Sequence, residues 1–266
     1  GVFNHVSRRH PWFEQALAGG PGSAAGGRFR IDWTAPGGPA PEVFEGHDAL
    51  VVLDHSSEKV ADDVAEIMTF WLDRGIDGWR LDDAYAVDPH FWARVLPRVR
   101  EGHPEAWFVG EVIHGDYTAI VEASGLDSVT QYELWKAIWS SLLDRNFFEL
   151  DWALTRHNEF LPHFTPQTFI GNHDVTRIAS LVGAERAILA LVILMTIGGT
   201  PSIYYGDERA LTGVKEDRAR GDDAVRPAFP AAPDSLDDSL ENPASLENPA
   251  SLENPASLED PDSLEN

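Results

Sequence analysis

Short apolar runs alternate with stretches of helical period between residues 57 and 205, and that alternation restricts the chain to a few architectures. Ser57 stands at a helix-cap position, ahead of Val60, Val64, Ile67, Met68 and Trp71 at 3.6-residue spacing. Gly75 ends that helix, and residues 76–81 follow as a short buried strand. Residues 91–99 read as the next helix, closed by Gly102-His103-Pro104, and residues 106–109 as a second strand. A third strand is expected at 126–129, then helical material from 133 to about 160. A fourth strand is expected at 167–170, an apolar helix at 184–197 and a fifth strand at 202–205. Strands alternating with helices predict a parallel α/β sheet covered on both faces, a pattern shared by a (β/α) barrel and an open doubly wound sheet.

The polar residues separate these two folds. Asp82, Glu111 and His173-Asp174 each fall just past the C-terminal end of an expected strand, where barrels keep their catalytic groups. Asp82 and Glu111 are 29 residues apart, about one βα unit, and Glu111 and Asp174 are 63 apart, about two. Three carboxylates from separate strands therefore converge on one rim. No glycine-rich phosphate loop follows any strand, which disfavours nucleotide binding. The expectation is a partial (β/α)8 TIM barrel.

Composition narrows the partners. Acidic residues number 44 against 20 basic, a net charge of -24, so nucleic acid and anionic membranes are poor partners. The absence of Cys removes disulfides, thiolate metal sites and Cys nucleophiles, and the apolar run 187–197 is about half of a membrane span. A cytoplasmic location is expected, with any targeting segment lying upstream of Gly1. The composition sets no oligomeric state. From residue 241 the hexamer Glu-Asn-Pro-Ala-Ser-Leu repeats, with Leu240, Leu246, Leu252, Leu258 and Leu264 in register. One apolar residue and a Pro in each repeat leave little to bury, so 231–266 is expected to be a disordered, low-complexity acidic tail. The catalytic unit is expected at 1–230, with a Gly/Pro-rich excursion at 6–50.

Paired carboxyl groups at one rim suit glycoside hydrolysis, which needs a nucleophile or base and a proton donor. Arg80 and Asp82 are two residues apart, so on a strand both side chains point the same way, and the guanidinium holds the Asp ionised and oriented. Glu111 follows an apolar strand and Gly110, and its limited solvation suits a general acid. Asp174, beside His173, is placed to hold sugar hydroxyls and support positive charge. Trp12, Trp33 and Tyr85 are candidate stacking rings, whereas Trp79 reads as core. Most of His10, His47, His55, His90, His103, His157 and His163 read as surface or turn residues, while His114, three residues after Glu111, is a candidate to line the site.

Taken in order, Asn4-His5, Gly78-Trp79-Arg80-Leu81-Asp82, Gly110-Glu111 and Asn172-His173-Asp174 resemble the motifs of the α-amylase family, glycoside hydrolase family 13. The segment Gly199-Thr200-Pro201-Ser202-Ile203-Tyr204-Tyr205-Gly206-Asp207-Glu208 is similar to the family's eighth-strand motif. The resemblance covers residues 1 to about 230. It implies Asp82 as nucleophile, Glu111 as general acid/base and Asp174 as transition-state stabiliser, with Arg80 orienting Asp82. His5 and His173 would then bind hydroxyls of an oligosaccharide substrate. It further implies a retaining double displacement on α-1,4-linked glucose oligomers through a glycosyl-enzyme intermediate. In the family, residues 6–50 correspond to a small irregular domain after the third strand.

The chain also departs from the family pattern. The family's first two strands and most of its third lie before the position of Gly1, so an open-edged barrel is expected to hold its site poorly by itself. The family's amylases carry Lys-His three and four residues after the nucleophile, where Tyr85 and Ala86 stand here. No resident cofactor is therefore expected, with Asn4 remaining as the calcium candidate. Asp83, where a small residue is usual, points to the opposite strand face or lies in the loop. Alternatives to a hydrolase are a sucrose-, trehalose- or glucan-type transglycosylase with the same carboxylates, and an inactive fragment that at most binds glucan.

Overall fold

In the structure, a computed structural model describing residues 1–218 and 220–229, the buried strands are parallel and follow one another in chain order. Gly1–Val225 forms one compact unit. The tail expected at 231–266 lies outside the described residues. Before the parallel strands comes an excursion of small antiparallel pieces: β1 (His5–Ser7), α1 (Pro11–Gly19), β2 (Ile31–Asp32), β3 (Ala40–Pro41), β4 (Val43–Phe44) and β5 (His47–Val52). β1 and β4 flank β5, and β2 pairs with β3. The β4–β5 hairpin closes through Glu45-Gly46, both at positive φ (47° and 75°), the geometry that matches strand twist in a two-residue loop.

After α2 (Glu58–Leu72) the parallel strands begin: β6 (Gly78–Leu81), β7 (Trp107–Gly110), β8 (Ser128–Val129), β9 (Gln167–Phe169) and β10 (Thr200–Ser202). β6, β7 and β8 form one ladder, β9 and β10 another, and a parallel bridge between Thr130 and Gln167 joins the two. Gly1 continues the order on the far side of β6, its nitrogen donating to the Arg80 carbonyl (2.8 Å) and its carbonyl accepting from the Asp82 amide (3.0 Å). That bracketing is the parallel pattern. The helices between these strands are α3 (Pro89–Gly102), α4 (Tyr117–Ser124), α5 (Tyr132–Asp144), α6 (Phe148–Phe160), α7 (Ile178–Val182) and α8 (Ala184–Thr196).

The pattern of apolar residues explains the packing. Val60, Val64 and Met68 of α2, with Phe91, Val95 and Leu96 of α3, close over Leu81 and Phe108 of the sheet. A second cluster joins α5, α7 and α8 through Ile138, Ile178 and Ala190. Trp79 belongs to the first core, its ring 5.6 Å from Phe3 and its indole N–H donating to the Met68 carbonyl.

Three local expectations change. The helical material expected from 133 to about 160 is divided into two helices, because Arg145 turns left-handed (φ 54°) and Asn146 accepts the Phe148 amide. The fifth strand ends at Ser202, since the Tyr204 and Tyr205 rings turn onto the Arg177 guanidinium, 4.4 and 5.1 Å away. His55 and His157 are buried, neither surface nor turn residues. His55 Nε2 meets the Phe3 carbonyl at 2.9 Å and His157 Nε2 the Gly198 carbonyl at 2.7 Å. Burial lowers both pKa values, so each ring is held neutral and donates one hydrogen to its carbonyl. No helix among the described residues is long and apolar enough to cross a membrane.

Close approach makes Gly78 irreplaceable in β6. A Cβ there would lie 2.1 Å from the Trp107 carbonyl oxygen, whereas one on Gly27 would meet nothing within 4 Å. Gly78→Ala is expected to destabilise the chain by about 3 kcal/mol or to prevent folding, and Gly27→Ala to leave the melting temperature within a degree or two. Thermal melts followed by circular dichroism check the pair.

Candidate active site

Parallel register brings the ends of β6 and β7 to the same level, with Leu81 opposite Gly110, so the next residues, Asp82 and Glu111, emerge side by side. β9 ends two elements further along, and Asp174 reaches the same rim through the turn Asn172-His173-Asp174, in which Asn172 Oδ1 accepts the Asp174 amide (2.9 Å). Arg80 projects from β6 into the space between them. Its Nη1 lies 3.3 Å from Asp82 Oδ1, and its Nη2 lies 2.8 Å from Glu111 Oε1 and 3.9 Å from Asp174 Oδ2. One guanidinium thus faces all three carboxylates.

Their environments differ. The Glu111 side chain is only 5% exposed, against 26% for Asp82 and 30% for Asp174. Burial obliges Glu111 to fill its hydrogen-bonding capacity. The Tyr132 hydroxyl donates to Oε1 (3.1 Å) and the Asp83 amide to Oε2 (3.1 Å), and Asn172 Nδ2 donates in turn to the Tyr132 oxygen (2.8 Å). Burial, then the charge of Glu111, raises the Tyr132 pKa, so its phenol stays a donor. His173 Nε2 lies 3.0 Å from Asp174 Oδ2. Asn4 Nδ2 donates to the Asp82 carbonyl (3.0 Å), fixing the backbone of that residue, and half-buried His5 packs its ring 4.6 Å from Phe44. Burial lowers the His5 pKa against the opposing pull of Asp82, so the imidazole is neutral.

Residues 43–248 match the family model described as alpha amylase, catalytic domain. The chain is 27% identical over 245 residues to alpha-amylase 3 of Dictyoglomus thermophilum, covering 81% of this chain and 47% of that enzyme. It is 30% identical over 224 residues to a cyclomaltodextrinase of Thermoanaerobacter pseudethanolicus, covering 80% and 39%. A debranching enzyme of Nostoc punctiforme, solved after an acarbose soak, superposes with a TM-score of 0.69 at 30% identity, over 82% of this chain and 52% of that one. The chain belongs to the α-amylase family. Its architecture is accordingly part of the family's (β/α)8 barrel, and it spans less than half the length of the two curated relatives.

The α-amylase-type rim gathers Arg80, Asp82, Glu111, Asp174 and His173, with His5 behind Asp82. Tyr85 and His114 meet each other, their rings 5.6 Å apart and edge-on. Trp12 packs under Arg28, 4.9 Å away, and Trp33 lies against Gly26, so among the described residues neither makes a hydrogen bond or ring contact with the carboxylates. Two residues escaped the sequence reading. Tyr132 lies in a Gln-Tyr-Glu stretch that carries no strand-end signal. Arg177, three residues after Asp174, is fully buried and holds the Tyr205 and Val225 carbonyls and Asp207 (3.0 Å). Burial, opposed by Arg177, raises the Asp207 pKa to about 6.

The calcium implied by the family was tested on Asn4. Its Oδ1 is buried without a partner, near a cavity of about 220 Å³ lined by Glu42, Glu45 and the Arg30 side chain. Calcium takes about six to eight oxygens, and among the described residues no group of three or more His, Cys, Asp or Glu side chains is arranged to hold a metal ion. Arg30 brings a cation, 3.3 Å from Glu42, into the same space. The side chains present do not make a cage, and no step below is routed through a metal.

Asp83 lies in the loop after β6, turned left-handed at φ 42°. Burial, then the charges of Asp82, Glu111 and Glu45, raises its pKa to about 6. An acid whose folded pKa exceeds its unfolded value binds more protons when native, so stability falls as pH rises from about 4 through about 6. Asp83→Asn, which keeps a residue tolerant of the left-handed region, is expected to melt higher than the parent at pH 7 and alike at pH 4. Melts across that range check it.

Proposed function

We propose that this chain carries the catalytic centre of a retaining α-glycoside hydrolase acting on α-1,4-linked glucose oligosaccharides. In this reading residues 1–230 belong to the catalytic barrel, with 6–50 as its small insertion. The supporting observation is the convergence of three carboxylates from three strand ends on the Arg80 guanidinium. Retaining enzymes need their two carboxyls close together, and here both reach one guanidinium.

Asp82 attacks the anomeric carbon of the bound sugar as the bond to the leaving oxygen breaks, and Glu111 delivers a proton to that oxygen. The product of the first step is a glycosyl ester on Asp82. Glu111, now a carboxylate, takes a proton from water, whose oxygen attacks the same carbon and frees Asp82. Two inversions restore the α configuration. Asp174 faces the developing positive charge, while His173 and the neutral His5 engage sugar hydroxyls. The Arg80–Glu111 pair at 2.8 Å is the contact that has to open, because the proton donor must face the glycosidic oxygen rather than a guanidinium. Water or a second sugar then serves as acceptor according to access on that side of the rim.

Turnover of p-nitrophenyl α-maltoside with the product anomer read by NMR tests the reading. The α-anomer is expected first, and Asp82→Asn is expected to lower kcat by on the order of 10⁴-fold without changing the melt. Release of the β-anomer, or an undiminished rate in the variant, would overturn it.

A further inference from the structure

Beyond Asp174 lies a buried ion pair that the chemistry above does not use. Arg177 is fully enclosed and Asp207 only 2% exposed, with Nη1 of the arginine 3.0 Å from Asp207 Oδ1. The β9–β10 ladder ends at Phe169 and Ser202, so the rim turn and the chain after β10 both lie past its backbone pairing. Side chains take over there. Arg177 Nη1 also donates to the Tyr205 carbonyl (2.7 Å), and Nη2 donates to the Val225 carbonyl (3.1 Å). The Arg177 amide donates to the Gly213 carbonyl (3.0 Å), and Thr176 Oγ1 accepts the Lys215 amide (3.0 Å).

The acidic half of the pair touches the opposite end of the turn. A Cβ on Gly171 would lie 2.5 Å from Asp207 Oδ2, so that oxygen occupies the place of a Gly171 side chain. Gly171 opens the turn that carries His173 and Asp174, and Arg177 follows it. One ion pair therefore bears on both ends. We propose that Arg177 and Asp207 are positioning residues that clasp this turn and thereby hold Asp174 at the rim, within reach of the guanidinium that Asp82 and Glu111 share.

The pair supplies direction more than stability. Arg177 Nε and Asp207 Oδ2 are buried with no hydrogen-bond partner among the described residues. Each such atom leaves its desolvation cost unrepaid, and a buried ion pair is in general no more stabilising than apolar side chains in its place. What apolar side chains lack is a fork. The planar guanidinium, held against the Tyr204 and Tyr205 rings at 4.4 and 5.1 Å, fixes the direction of every bond it donates. Those bonds set residue 177 against the chain at 205–207, and with it the path of the turn back to Gly171. Asn172 belongs to the same turn and donates to Tyr132, the partner of Glu111, so a displaced turn would loosen that acid as well.

The clasp rests on the glycosidase reading only for its effect on turnover, and amide exchange tests it without substrate. Arg177→Met together with Asp207→Leu replaces the pair by apolar side chains of similar size, which is expected to keep the melting temperature within a few degrees. In ¹⁵N-labelled chain, exchange at the Asp174 amide, which donates to Asn172 Oδ1, is expected to quicken about tenfold or more relative to the amides of β7. Equal exchange at Asp174 in parent and variant, or a rise shared by β7, overturns the clasp. Should the pair variant not fold, Gly171→Ala applies the same comparison from the other end, since its methyl would displace the Asp207 carboxylate. The same local rise is expected there, and its absence overturns the proposal. If the parent turns over p-nitrophenyl α-maltoside, the variant is expected to lose about 10²-fold in kcat with KM within about threefold, as for a misplaced group that acts on the transition state. A local rise in exchange with kcat unchanged would overturn the positioning role. If exchange follows the clasp while the parent shows no turnover, the glycosidase reading fails and the clasp stands. Turnover in the parent with exchange unmoved means the reverse.

Discussion

A single guanidinium shared by three carboxylates is the constraint on which the rest of the site depends. Three acids gathered at one rim repel one another, and without a cation among them burial would drive at least one to take up a proton. Arg80 lies on the strand that carries Asp82 and spans to Glu111 and Asp174. A planar fork with several donors suits this arrangement better than the point charge of a lysine. One residue on, at Asp83, burial and then the neighbouring acidic charges raise the carboxyl pKa to about 6. Two aspartates adjacent in sequence therefore do opposite electrostatic work, one facing the cation and one turned from it by a left-handed backbone.

The contacts that hold the carboxylates run across the strands rather than along them. Tyr132, from the start of α5, reaches Glu111 on β7 and takes a hydrogen from Asn172 beyond β9, so the acid and the Asp174 turn share one hydrogen-bonded path. Buried networks of this kind fix geometry because each member, left unpaired, costs about 1–3 kcal/mol. Behind the rim, Arg177 and Asp207 form a buried pair that anchors the segment after β10. Loss of one partner from such a pair typically costs about 3–5 kcal/mol.

Much of this was legible in the residues. Asp82, Glu111 and Asp174 end strands whose apolar runs and glycines mark them, and a polar residue at such a point has few bland explanations. Strand ends came within about three residues because alternation with helices is a strong periodic signal. Arg145 was not legible as a helix break, since nothing in its side chain demands a positive φ. His55 and His157 looked like turn residues because local sequence carries no trace of the distant carbonyls, on Phe3 and Gly198, that bury and satisfy them. Trp12 and Trp33, expected as stacking rings, have Arg28 and Gly26 as neighbours, contacts that local sequence does not signal.

By itself the sequence determined the order of strands and helices, the family, and which acids stand at strand ends, because those features depend on local periodicity and on short motifs. Tertiary structure decided the partners. It brought one arginine within reach of three acids, gave Glu111 its phenol and amide donors, and tied the Tyr85 hydroxyl to Glu45 on the hairpin. Those are contacts between residues tens of positions apart, set by strand register and by backbone turns, and neither composition nor spacing encodes them.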